Sequence, residues 1–253
     1  MKAAAFDWAA PADIAQAAAL LATPDARAMA GGQSLGPMLN LRAARPSLVV
    51  PLAGLDDLHG VEDTQDAITL GAATTHAAIA DGRTPDLPGH VLARIAGGIA
   101  YRAVRNRGTI GGSLCHADPA ADWLTTLIAL DAVLLTTTRA VALRDFVTGP
   151  YRTVLAPGEI LRAVRVPRPA GAFGWGYCKL CRKPGEFAHA MAAALVMGDR
   201  RRLAIGAIGG PPLLLTDADA TPEAAEAALQ DFDPVTRRLQ IEAVTRALAQ
   251  AGL

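Results

Sequence analysis

The spacing of apolar and polar positions changes period several times along this chain, and each change marks an element. Ala-rich residues 15–22 keep helical spacing behind Pro11, a residue tolerated in a first turn. A short apolar run at 28–30 stops at Gly31-Gly32. Ser34 is placed to cap a short helix through residue 41, and 47–51 reads as another strand. This β-α-β-like opening ends near residue 55. Residues 68–71 then read as a strand, Thr75 as a helix cap, 88–99 as a longer helix, and 108–113 as a Gly-rich turn. Helical spacing returns at 119–130, strand formers at 132–138. After the Pro157-Gly158 turn, Ile160, Arg162, Val164 and Val166 alternate as in a half-buried strand. Strands at 174–181, 191–196 and 203–208 precede helices at 222–229 and 234–249. Strands followed by helices predict an α+β layer at the C-terminal end.

Composition narrows the class. Apolar residues make up 51% of the 253, but aromatics only 4%, so the core relies on close alanine-rich packing. The 24 basic side chains balance 24 acidic ones, without a long block of either sign, which gives a nucleic-acid role little support. Three cysteines are too few for a secreted disulfide framework and suit a reducing compartment. No apolar run reaches the length of a membrane span, and no signal core follows Lys2. A cytoplasmic location is expected.

Two glycine-rich segments carry the candidate chemistry: Ala30-Gly31-Gly32-Gln33-Ser34-Leu35 and Thr109-Ile110-Gly111-Gly112-Ser113. Paired glycines let successive N–H groups converge on an anion, and hydroxyls and a helix start just beyond add donors. Neither segment is a G-x-G-x-x-G fingerprint or holds a P-loop lysine, which disfavours a Rossmann site and a nucleotide triphosphatase. Locally, Asp122 reads as a first-turn carboxylate favoured by the helix dipole, Lys179 as a snorkelling strand lysine, and Phe187 as a core ring.

Taken together, these segments are more specific. With Asn106-Arg107-Gly108 ahead of the second, His116-Ala117-Asp118-Pro119-Ala120-Ala121-Asp122 after it, Pro157-Gly158-Glu159-Ile160, and the pattern of Tyr177, Lys179, Leu180, Arg182, Lys183 and Glu186-Phe187-Ala188, the chain resembles the FAD-binding medium subunit of xanthine dehydrogenase and carbon monoxide dehydrogenase-like molybdenum hydroxylases. The resemblance implies an α+β fold. A two-lobed FAD-binding domain of the vanillyl-alcohol-oxidase-like (PCMH) type would occupy residues 1–55 and 56–169, and a small C-terminal α+β domain 170–253. It implies that Gly31, Gly32, Gln33 and Ser34 cradle the FAD pyrophosphate, flanked by Ala30 and Leu35. Thr109, Gly111, Gly112 and Ser113 would oppose them, helped by His116 and Asp118. Asp122 would bind ribose or adjacent hydroxyls, and Ile160 or Leu161 would contact the adenine side. Lys179, Phe187 and Ile99 would neighbour the isoalloxazine. It implies partners as well: a small [2Fe-2S] subunit, a large molybdopterin subunit, a dimer of heterotrimers and a soluble electron acceptor. A self-contained FAD oxidase or reductase of the same fold, or a non-catalytic assembly subunit, are the alternatives.

Two features invite other readings. Cys178 and Cys181 form a C-x-x-C, but residues three apart on a strand point to opposite faces, and three cysteines fall short of the usual four cluster ligands. His59, His76, His90 and His189 lack ligand spacing and read as surface or capping histidines. Arg102, Arg105 and Arg107 read either as solvated charges or as an attraction for phosphates or a partner subunit.

Overall fold

A computed structural model of the chain describes residues 2–253. Three main sheets are laid down in chain order, with a separate two-stranded hairpin among them. The first contains β1 (Asp7–Trp8), β2 (Ala26–Met29) and β3 (Leu48–Pro51), in spatial order β1-β3-β2 and parallel throughout. Parallel neighbours need crossovers, here α1 (Ile14–Leu21) and α2 (Leu35–Asn40). Asp13 caps α1 by accepting from Gln16 N–H at 2.8 Å, and Ala17 buries its face against Val50 and Leu52.

The second sheet begins with β4 (Val61–Asp63) and β5 (Ala67–Gly71). Five helices follow before it resumes: α3 (His76–Ala80), α4 (Val91–Gly97), α5 (Arg102–Arg105), α6 (Ile110–His116) and α7 (Asp122–Ala129). The chain then adds β6 (Val133–Thr136), β7 (Ala140–Ala142), the small hairpin β8 (Val147–Gly149) and β9 (Arg152–Thr153), and β10 (Leu161–Pro167). The spatial order is β4-β5-β10-β6-β7, all antiparallel. A register irregularity between Leu161 and Ala163 resets the alternation expected for β10, so Ile160 and Leu161 are both buried while Arg162 and Arg165 face solvent.

The third sheet is an antiparallel meander of β11 (Gly174–Leu180), β12 (Ala190–Met197), β13 (Arg200–Gly206) and β14 (Leu213–Thr216). Strand β14 has no counterpart in the sequence reading; it follows directly on Pro211-Pro212. Helices α8 (Pro222–Ala228) and α9 (Pro234–Gln250) start with the proline-at-N1 arrangement, capped by Thr221 and Asp233. A side chain at Gly174 or Gly176 would overlap the α9-end carbonyls of Ala251 and Ala247. Backbone proximity thus explains the small residues on β11. Strand β12 is buried on both faces, between α9 and α7, and its alanines are the thin layer that allows this.

Helix α7 is buried along its whole length. It joins the second and third sheets in one apolar core, which includes Trp123, Leu127 and Phe146 together with Ala193, Leu195 and Ala204. The first sheet rests on a smaller cluster in which Val50, Leu52 and Leu58 meet Ala73 and Ile160. Among the described residues, no helix is long and apolar enough to cross a membrane.

Candidate cofactor cleft

A cleft of about 1190 Å³ runs between the first sheet, the helical end of the second and the β11 side of the third. It exceeds the ~300–1,000 Å³ of ordinary small-molecule pockets, as a dinucleotide would require. Every cofactor-site residue named from the sequence lines it.

The first glycine segment supplies donors. Gly32 turns the chain at φ +69°, and Gln33 folds its amide back onto the Gly31 carbonyl at 3.0 Å. Among the described residues, the N–H groups of Gly32, Gln33, Ser34 and Leu35 meet no protein acceptor, and the Ser34 hydroxyl makes no cap bond although it precedes α2. Four successive unsatisfied donors beside a cleft are an arrangement that can hold an anion.

The second segment works differently from the turn expected. It is the first turn of α6, capped by Thr109, whose Oγ1 accepts from Gly112 N–H at 3.0 Å. The N–H groups of Ile110 and Gly111 bond the carbonyls of Thr74 and Ala72, and that of Ser113 bonds Thr109. The backbone donors of Ile110 to Ser113 are therefore already used, and among the described residues only the Thr109 N–H of this segment meets no protein acceptor. Its glycines serve proximity instead: a Cβ on Gly111 would overlap Ala72, and one on Gly112 would press on Ala30. Gly31 likewise faces the Arg107 carbonyl with no room for a side chain. The two loops are thus locked together by glycine contacts, and the second offers side chains: Thr109, Ser113, His116 and Asp118.

Asp118 accepts from Ala120 N–H at 2.9 Å and from the Tyr151 hydroxyl at 3.3 Å, and the His116 and Tyr151 rings lie 5.2 Å apart. Tyr151 holds a left-handed φ of 57°, and nothing local in the sequence marks it. At one end of the cleft the 156–160 turn is pinned by Glu159. It accepts from Thr136, Thr138, both Arg139 donors and Ala156 N–H at 2.7–3.1 Å, and Arg139 holds its carboxyl down at about 2 against the opposing effect of burial. That turn presents Ile160 and Leu161.

The other end is built around Asp122. Its carboxylate accepts two bonds from Lys179 Nζ at 2.9 and 3.0 Å and one from the Tyr177 hydroxyl at 2.8 Å. Burial pushes Asp122 up while Lys179 pulls it down, with the upward effect larger. Beside it Ile99 bridges to Gly185, and Phe187 stands 60% exposed at the rim. Arg105 holds this corner by donating to the Ile99 and Ala100 carbonyls at 2.9 and 2.7 Å, and Arg102 pairs with Asp81. These two arginines therefore serve the protein rather than an open phosphate-attracting patch. His76, expected at the surface or as a cap, is interior: its Nδ1 accepts from Trp123 Nε1 at 3.2 Å, and burial, assisted by Arg105, lowers it to about 4. Cys178 packs into the third-sheet core while Cys181 bonds the Lys183 carbonyl, so the C-x-x-C is no shared site.

The cleft thus offers backbone donors and hydroxyls in the middle, Ile160 and Leu161 at one end, and Ile99 and Phe187 beside the Lys179–Asp122 ion pair at the other. A family described as the FAD binding domain in molybdopterin dehydrogenase matches residues 4–169. The chain belongs to it. FAD is therefore the cofactor this domain serves, and the unpartnered N–H groups, the flanking hydroxyls and the apolar side chains at either end fit a ligand with a charged centre and a flat ring at each end. The chain is 37% identical over 248 residues to the nicotine 6-hydroxylase medium subunit of Paenarthrobacter nicotinovorans, spanning 90% of this chain and 86% of that one. It is 37% identical over 231 residues to the carbon monoxide dehydrogenase medium chain of Afipia carboxidovorans, spanning 88% and 78%. Among solved structures, carbon monoxide dehydrogenase from Hydrogenophaga pseudoflava lacking the Mo-pyranopterin moiety superposes with a TM-score of 0.90 at 31% identity, over 100% of this chain and 99% of that one. These relatives are subunits of oxidoreductase complexes, and this chain is of that class.

Proposed function

We propose that this chain is the FAD-carrying electron-transfer subunit of a heterotrimeric molybdenum hydroxylase. A small [2Fe-2S] subunit would supply it with electrons drawn from a large molybdopterin subunit, and a soluble acceptor would receive them. The observation that carries the FAD assignment is the run of unpartnered N–H groups from Gly32 to Leu35, set midway along a cleft of dinucleotide size.

In this reading those four N–H groups and the Ser34 and Ser113 hydroxyls hold the pyrophosphate. Thr109 and His116 close over it from the α6 side. Asp118, being anionic, suits sugar or ribityl hydroxyls rather than phosphate. Ile160 and Leu161 form the adenine wall. Ile99, Phe187 and Lys179 flank the isoalloxazine at the rim, where the exposed Phe187 face is the one a ring would cover. Bound FAD accepts electrons singly and releases them in pairs, and the protein binds, orients and tunes it. The division near residues 55 and 170 then separates a phosphate-binding lobe, a lobe holding the opposing loop, and a sheet that brings Lys179 to the ring. A dimer of such heterotrimers in the cytoplasm completes the proposal.

The relatives' names support the partner assignment: two are medium chains or subunits, by implication of larger complexes. The test is the visible spectrum of the protein co-expressed with its neighbouring subunits, followed by denaturation to identify the released chromophore. Flavin bands and intact FAD are expected. A colourless complex that also fails to take up added FAD would remove the proposal.

A further inference from the structure

Asp122 is the residue that the resemblance assigns to cofactor hydroxyls, but its geometry gives its oxygens to the protein. Both carboxylate oxygens receive Lys179 Nζ, and Oδ1 also takes the Tyr177 hydroxyl. The side chains of Asp122 and Lys179 are only 4% and 9% exposed. A buried carboxylate that takes three hydrogen bonds from these two donors has little acceptor capacity left for a diol. Lys179 in turn has one further protein neighbour, the Gly98 carbonyl at 3.5 Å. Arg102 and Arg105 share with Lys179 the lining of the smaller groove behind Gly98 and Gly185.

We propose that Asp122 is a positioning residue that acts on the flavin through Lys179: it fixes the ammonium at the ring end of the cleft and offsets its charge, and so sets the midpoint potential. The proposal rests on the FAD reading above and deepens it. Reduction by two electrons and one proton leaves negative charge on the ring system, which a nearby cation favours. An ammonium paired with Asp122 presents a dipole, and an ammonium without Asp122 presents a full charge in a poorly solvated corner. Removing Asp122 therefore eases reduction, and removing Lys179 hinders it.

The experiment is a reductive titration of the holoprotein against a reference dye, followed by bleaching of the flavin band, with FAD affinity measured in parallel. Asp122→Asn is expected to raise the potential by a tenfold change in the reduction equilibrium, about 30 mV for a two-electron couple. Lys179→Met is expected to lower it. Asp122→Asn added to Lys179→Met is expected to change nothing further, because the ammonium it positions is gone and a buried carboxylate without its cation takes up a proton and carries no charge. An unchanged potential with weakened FAD binding in Asp122→Asn would make the carboxylate a direct hydroxyl ligand and overturn the proposal. So would a loss of thermal stability alone. If Asp122→Asn does not fold, Lys179→Met decides, and an unchanged potential there is equally fatal. Failure of the FAD reading is distinguishable, since it would show as a wild-type protein without flavin before any variant is made.

Discussion

The His76 imidazole lies among apolar neighbours with Arg105 close by, and its Nδ1 accepts the Trp123 indole N–H. A proton on that nitrogen would set donor against donor. The folded chain accordingly holds His76 near 4, against an ordinary 6.5. Between those values the unfolded chain binds a proton that the folded one refuses, so stability falls as pH drops through the window and is regained above it. The full difference amounts to roughly 3 kcal/mol. His76→Gln keeps an acceptor for Trp123 and removes the titration. Denaturant melts at pH 4.5 and 7 should therefore differ less in the variant than in the wild type, and an identical slope would show that His76 is not the group responsible. The neighbouring glycines separate two other effects. Gly31 has no space for a Cβ against the Arg107 carbonyl, whereas Gly32 has space but sits at positive φ. Gly32→Ala should cost ~1–2 kcal/mol through backbone strain alone. Gly31→Ala must push the two loops apart and should lose both more stability and most FAD retention. Melting curves and FAD titrations of the pair would sink this account if the two variants behaved alike.

At the scale of elements, α6 shows where local pattern and tertiary demand part. Gly111 and Gly112 are poor helix formers, and in the sequence they read as a turn. They are helical because the Thr109 cap starts the turn and because Ala72 and Ala30 crowd both positions, leaving room for nothing larger. Thr109→Ala should cost about 1 kcal/mol, a fall in melting temperature of ~2–4 °C, and Thr109→Ser should restore most of it. No change in Thr109→Ala would mean the helix is held by its packing alone. Elements with strong local signals, such as α8 and α9 with proline at N1 behind Thr221 and Asp233, were legible from sequence to within a residue or so. The glycine segments and the approximate course of β10 and β11 were legible too. Pairings over long separations were not. Lys179 meets Asp122 across 57 positions, and Trp123 meets His76 across 47, distances over which no periodicity carries information. Tyr151 was hidden for a related reason: its place beside Asp118 and His116 comes from the β8–β9 hairpin docking onto the α6 end, not from a motif.

For the whole molecule, the unequal distribution of core implies unequal stability. The second and third sheets share one large core through α7, whereas the first sheet is seated on a small cluster and on close glycine contacts at Gly31, Gly112 and Gly158. Regions with few buried contacts open at lower free energy than the global transition. The first sheet should therefore be the first to open, and it also carries the Gly32–Leu35 N–H groups proposed to hold the pyrophosphate. A ligand that bridges those groups and the α6 loop adds its binding energy to that weak seam: at a concentration a hundred times its Kd, ~2.7 kcal/mol. Hydrogen exchange on the protein with and without FAD tests this directly. In the FAD-free protein, amides of β2 and β3 are expected to exchange faster than those of β12 and β13, and FAD is expected to slow the former far more than the latter. Equal protection across all three sheets would mean that the chain opens as one unit and that the small first-sheet core is no weaker than the large one.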